Sequence, residues 1–236
     1  MFIEQELLSV GTCIATLVAT FAVVTYAALS APWRVWLSDP ERQHVWLGSL
    51  VLLVAIWSMK AGFTPGLSLR FLMISALTLM HGWQLAVIGG ALVLLTMTVT
   101  GQADWPSYGA NLLCTVVIPA MFTARLHEFI HQRLPNNYFI YFFLTAYLGS
   151  MLAFNLAGLA RLALIEAGKV EAARINAEYF LVLPLMSFGE GFANGMIVAM
   201  AVVYRPRWVM SFDDRLYLRR PPPESGGGIR AWCPLG

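Results

Sequence analysis

From Tyr179 to Tyr204 the chain reads YFLVLPLMSFGEGFANGMIVAMAVVY, and apart from the tyrosines at its ends the only ionisable side chain is Glu190. A helix of this length crosses a hydrocarbon core of about 30 Å, and Glu190 falls near its middle. Carrying a carboxylate at that depth costs about 3 kcal/mol on insertion scales, so such residues face a bundle interior, a cavity or a partner. Two readings follow: a hydrogen-bonded carboxyl that ties helices together, or a group on a solute path. Asn194 lies one helical turn later, where it can bond Glu190 or converge with it on one solute. Gly191 and Gly195 form a small-xxx-small pair that lets a neighbouring helix approach closely.

The rest of the chain has the same character. Hydrophobic residues make up 58% of it and charged residues 12%, against roughly 25% charged in a soluble domain. The fold class expected is therefore all-α, a polytopic membrane helix bundle. A net charge of +2 is too small to point to nucleic acid, and the basic residues fall in loops and in the tail. Cys13, Cys114 and Cys233 are odd in number and widely spaced, which suggests neither a disulfide framework nor a zinc knuckle.

Hydropathy places spans at about 7–29 and 45–59, the first read as a retained helix and not a cleaved signal. After a turn at Pro65-Gly66, the apolar run from Leu67 to Thr98 is too long for one crossing. It splits near His81-Gly82-Trp83 into a short third helix and a fourth from about Gln84. Spans at about 107–129, 138–164 and 179–204 complete about seven transmembrane helices, with GKVEAARINAE read as a solvated loop or short surface helix. A cytoplasmic C-terminus puts Arg34, Arg42, Arg125, Arg133, Arg205, Arg207, Arg215, Arg219, Arg220 and Arg230 inside. Lys60, Arg70, Lys169 and Arg174 fall outside, so the basic excess is cytoplasmic. Arg161 lies within the sixth span near its outer end. Residues 1–218 read as the membrane domain and 219–236, rich in proline and glycine, as a mobile cytoplasmic tail.

Several motifs in order carry a family resemblance: Pro65-Gly-Leu-Ser-Leu-Arg-Phe-Leu, Leu77-Thr-Leu-Met-His-Gly-Trp, Asn111 opening the fifth helix, and Gly189-Glu-Gly-Phe-Ala-Asn-Gly. Val202-Val-Tyr-Arg-Pro-Arg-Trp and Phe212-Asp-Asp-Arg-Leu-Tyr-Leu follow them. From about Gln43 to Tyr217 the chain resembles the CbiM/NikM family, the substrate-binding membrane subunits of energy-coupling-factor transporters for cobalt and nickel. The resemblance implies a seven-helix permease-like subunit of a bacterial inner membrane. It also implies a transporter ATPase and a coupling permease as partners, and cobalt or nickel as cargo with no stably bound cofactor.

Family members begin Met-His and hold the metal through the terminal amine, the second residue's backbone nitrogen and imidazole, and a later imidazole. Such nitrogen ligands favour nickel or cobalt over magnesium or calcium. In this chain the second residue is Phe2 and the later histidine position is Arg70. Neither supplies a lone pair, and Arg70 brings a fixed positive charge. The candidate substrate path then consists of Glu190, Asn194, Arg70, Asn111 and His81, and the metal candidates are Met1, His81, His127 and His131. Asn155 is a further polar candidate for the bundle interior.

A rival function rests on His127-Glu-Phe-Ile-His131. On a helix two such histidines share a face and can hold zinc while Glu128 activates water. A third ligand is needed, and Glu190 is the one intramembrane carboxylate on offer. Arg125 and Arg133 flank the motif and set it at the cytoplasmic membrane edge, where polar residues need no such role. The chain is therefore read as a transporter component and not an enzyme. The alternatives are an intramembrane zinc-dependent hydrolase or a noncatalytic accessory subunit. No G-x-x-x-x-G-K-S/T sequence is present, so energy coupling falls to another subunit.

Overall fold

The computed structural model describes residues 2–3, 8–59, 61–64, 67–69, 71–135, 137–167 and 173–212. They form an all-α membrane bundle. Helix α1 (Val10–Ser30) is capped by Ser9, whose hydroxyl accepts from Thr12 N–H. Only Thr16, Thr20 and Ala27 of α1 are buried, and its exposed Val18, Phe21 and Leu29 suit contact with lipid. The short α2 (Trp33–Leu37) leads to α3 (Pro40–Ser58). This helix starts a turn earlier than hydropathy suggests, because Asp39 accepts from the amides of Glu41 and Arg42 and Pro40 suits a first turn.

One face of α3 carries Trp46, Leu50, Leu53 and Trp57, all buried at helical spacing. The two tryptophans also donate across the bundle, Trp46 Nε1 to Leu85 O and Trp57 Nε1 to Leu72 O, each at 3.2 Å. A small antiparallel hairpin follows, β1 (Ala61–Thr64) with β2 (Leu67–Leu69), pairing Ala61 with Leu69.

The third helix differs from the sequence expectation. Residues 67–69 are strand and 71–73 are not helical, so α4 spans only Ile74–His81, eight residues. At about 1.5 Å per residue it covers roughly 12 Å, and a helix that short is marginal alone. Gly82, with φ 85°, ends it, and α5 (Trp83–Val99) runs back.

Two long helices each contain a π-helical stretch. The first comprises α6 (Tyr108–Leu112), a π stretch at Leu113–Val117 and α7 (Ile118–Arg133). Pro119 lies just beyond that stretch; in a regular α-helix its ring would crowd the Thr115 carbonyl, and the widened turn gives that carbonyl room. The second comprises α8 (Tyr138–Ile140), a π stretch at Tyr141–Leu148 and α9 (Gly149–Glu166).

Last comes α10 (Ala173–Tyr204), which takes in part of the segment expected as a loop or a separate surface helix, and a 3₁₀ turn at Pro206–Trp208. Among the described residues, four segments are long and apolar enough to cross a membrane: Val10–Ser30, Tyr108–Arg133, Tyr138–Glu166 and Val182–Tyr204. The shorter apolar α5, with α3 and the eight-residue α4, completes the bundle.

Close approach between passes depends on missing side chains. A Cβ on Gly109 would lie 2.5 Å from the backbone of Leu17, so α1 and α6 touch main chain to main chain. A Cβ on Gly191 would lie 2.5 Å from Met151 Cγ and 2.9 Å from Tyr147 O, whereas one on Gly195 would make only ordinary contact.

Candidate functional site

Polar groups from α10 and the residues just after it meet the two ends of α4. Glu190 is 1% exposed. Its Oε2 accepts from Leu72 N–H at 2.8 Å and its Oε1 from Met73 N–H at 2.6 Å. Asn194 Nδ2 donates to Glu190 Oε1 and to Glu190 O, both at 2.8 Å, and Asn194 Oδ1 accepts from Ala76 N–H at 2.7 Å. These are amides that a helix start leaves without intrahelical partners, and a carboxylate there also meets the positive end of the helix dipole. Met73 is held at φ 56°, a left-handed conformation that a non-glycine residue adopts at a cost of about 1–3 kcal/mol.

At the other end, Met210 N–H donates to Met80 O at 3.0 Å and Ser211 N–H to Leu79 O at 3.2 Å. The Ser211 hydroxyl donates to the same Leu79 carbonyl and meets Tyr141 Oη at 2.7 Å. A helix too short to stand alone is thus clamped at both termini.

Beside the Glu190 end lies the start of the chain. Ile3 N–H donates to Asn111 Oδ1 at 2.6 Å, and Asn111 Nδ2 donates to Ile3 O at 3.2 Å and to Ser107 Oγ at 3.0 Å. Asn111 therefore pairs with an extended backbone much as a neighbouring strand would. Arg161, only 7% exposed, donates through Nη2 to Phe2 O at 3.1 Å. The Phe2 ring meets Trp57 edge to face at 5.7 Å, and Trp57 in turn donates to Leu72 O. Phe2, Trp57, Leu72 and Glu190 form one continuous chain of contacts.

Of the predicted site residues, Glu190 and Asn194 lie together, and Asn111 holds the N-terminal segment nearby. Met1 and Arg70 lie outside the described residues, as does the expected tail at 219–236. His81 belongs to the opposite end of α4, where its Nε2 and Ser49 Oγ are 3.2 Å apart. Asn155 donates to Met151 O within its own helix.

His127 and His131 sit near the C-terminal end of α7 with rings stacked 6.2 Å apart, and His127 meets Tyr141 edge to face. Glu190 caps the far end of α4 from Tyr141 and Ser211, so it is not placed to join the two histidines. Among the described residues, no group of three or more His, Cys, Asp or Glu side chains is placed to hold a metal ion. Two further site residues, Arg161 and Trp57, were not singled out by sequence reasoning. The signal for Arg161 was the same as for Glu190: an ionisable side chain in an apolar span.

Comparison with known proteins agrees with this architecture. A crystal structure described as a truncated transition metal transporter superposes with a TM-score of 0.72 at 16% identity, covering 86% of this chain and 99% of that one. Another, of a transition metal transporter, gives 0.69 at 19% identity, with 85% and 92% covered. At such identities the likeness establishes a shared fold. No curated protein matches the sequence. The profile of the CbiM family, the cobalt uptake substrate-specific transmembrane region, matches residues 2–208, and the chain belongs to that family.

Proposed function

We propose that this chain is the substrate-recognition membrane subunit of a transition-metal uptake transporter of the energy-coupling-factor type. Its cargo is cobalt or nickel, and its partners are a transporter ATPase and a coupling permease. It works in a bacterial inner membrane with its C-terminal end in the cytoplasm. The observation that carries this reading is the seat of Phe2 and Ile3, whose backbone is pinned by Asn111 and Arg161 beside the chain of contacts that leads to Glu190. The hold of two buried polar side chains on that segment supports a role for it in recognition. Family membership supports the same end of the molecule.

Position 2 is a phenyl group, so the seat grips a divalent ion through fewer nitrogen ligands than a histidine would supply, and the cargo is held weakly. The test is accumulation of radioactive cobalt and nickel in cells with and without the chain, its partner subunits being present in both. Lower accumulation of one metal without the chain is expected. Equal accumulation of both metals would overturn the proposal.

A further inference from the structure

At the end of the bundle away from Phe2, a cleft of about 410 Å3, measured out to its open mouth, lies between the α1–α3 connection and the turn after α10. Its lining includes Pro32, Trp36, Arg42, His81, Arg207 and Trp208, and among the described residues no carboxylate lines it. The nearby acids each already serve one of the lining residues as well as the fold. Asp39 caps α3 and pairs with Arg42 Nε at 3.2 Å, and Glu41 accepts from Trp208 Nε1 at 2.8 Å.

Two guanidinium groups offer N–H donors to an anion, and a third, buried donor belongs to a lining residue. The Arg42 terminal nitrogens and the exposed Arg207 guanidinium have no partner among the described residues. The third is Trp36 Nε1, a buried N–H with no acceptor among the described residues, on a ring wedged edge to face against Trp33 and Trp46. A buried donor left without an acceptor costs about 1–3 kcal/mol, which a ligand oxygen would recover.

The surroundings favour a lipid over a soluble anion. The exposed apolar face of α1 (Phe21, Leu29) runs to the cleft, and Val35 and Leu37 stand exposed at its edge. Trp33, Trp36, Trp46 and Trp208 gather at the same level, as tryptophans do where headgroups meet hydrocarbon. Basic pockets between transmembrane helices at that level bind acidic headgroups.

We propose that this cleft binds the phosphate group of an anionic phospholipid through Arg42, Arg207 and Trp36 Nε1, with the acyl chains lying along α1. The purified full chain in a zwitterionic detergent is titrated with dioctanoyl phosphatidylglycerol, dioctanoyl phosphatidylcholine or inorganic phosphate. Binding is followed by native mass spectrometry and by the shift in melting temperature. Phosphatidylglycerol is expected to bind about tenfold more tightly than phosphatidylcholine, and Arg207→Gln to weaken it about fivefold, the effect of one basic side chain near an anionic surface.

Among the described residues Arg207 makes no internal bond, so that variant is expected to keep its fold. Trp36→Phe keeps the ring packing and removes the lone donor. It is expected to leave the lipid-free melting temperature unchanged or higher while weakening phosphatidylglycerol binding severalfold; a packing role alone would move both in one direction. Equal affinity for the two lipids, or unchanged binding in both variants, would overturn the site. Inorganic phosphate binding as tightly as phosphatidylglycerol would overturn the assignment to a lipid.

Discussion

Replacing Glu190 by glutamine swaps one carboxylate oxygen for an NH2 group while the two backbone donors it serves, Leu72 and Met73, stay in place. One of those amides then faces another donor, and a buried donor without an acceptor costs about 1–3 kcal/mol. Loss of the negative charge at the start of α4 adds about 0.3–1 kcal/mol, more where the geometry is buried. The sum is about 1–4 kcal/mol. Glu190→Ala strands both amides and reaches about 2–7 kcal/mol on the same terms, comparable at its upper end with the whole stability of a marginal protein. The glutamine variant should therefore fold with a lowered melting temperature, and the alanine variant should be recovered poorly.

Hydrogen exchange locates the effect. Protection at Leu72 and Met73 should fall by about tenfold or more in Glu190→Gln, since 1.4 kcal/mol is a factor of ten. The Leu85 region, tied by Trp46, should change little. Metal uptake should fall further than in Ser187→Ala, whose hydroxyl only donates to Pro184 O within its own helix. If exchange at Leu72 and Met73 is the same in Glu190→Gln and the unaltered protein, the capping argument is wrong.

Three further outcomes are expected. Gly109→Leu should prevent α1 from seating, because even a Cβ there would lie 2.5 Å from the Leu17 backbone; normal monomer yield and melting temperature would contradict this. His127→Phe should leave bound zinc unchanged and thermal stability equal or higher, since Nδ1 of His127 is buried without a partner among the described residues; loss of protein-bound zinc would revive the hydrolase reading. In calorimetry, nickel and cobalt should bind the unaltered chain weakly and a Phe2→His, Arg70→His double variant more tightly by at least tenfold, whereas tight stoichiometric binding by the unaltered chain would show that other groups supply the ligands.

What the sequence made legible was set by hydropathy and by glycine. The apolar runs announced a helical membrane bundle, and the break at Gly82 was readable because a residue with φ 85° suits glycine. The third helix was misjudged for a physical reason. Leu67 to Met73 is as apolar as a helix, but its start is fixed by Glu190 and Asn194 well over a hundred positions away, and no local propensity encodes a cap contributed by another helix. The same applies to the site. Glu190 and Asn111 stood out as polar groups in apolar surroundings, and the Glu190–Asn194 bond was readable from their spacing, yet their long-range partners proved to be backbone atoms, which carry no sequence signature. Arg161 was noted inside the sixth span, but its partner, the Phe2 carbonyl, is again a backbone atom.

The π stretch at Leu113–Val117 alters what the two halves of its helix can reach. An unbroken α-helix would turn by about 120° between Asn111 and Thr123, which would point one of them away from the interior. Accommodating one extra residue in a widened turn makes the pair behave as if they were a position closer, about 20° apart. Both are fully buried: Asn111 reaches Ile3 near one end of the bundle, and Thr123 meets Ser75 Oγ at 3.0 Å further along. The stretch acts as a phase correction. It lets one helix present a single polar edge to the N-terminal segment and to α4, so a substitution that restores regular winding, such as exchanging Pro119 for alanine, would rotate one of those contacts out of register without touching either residue.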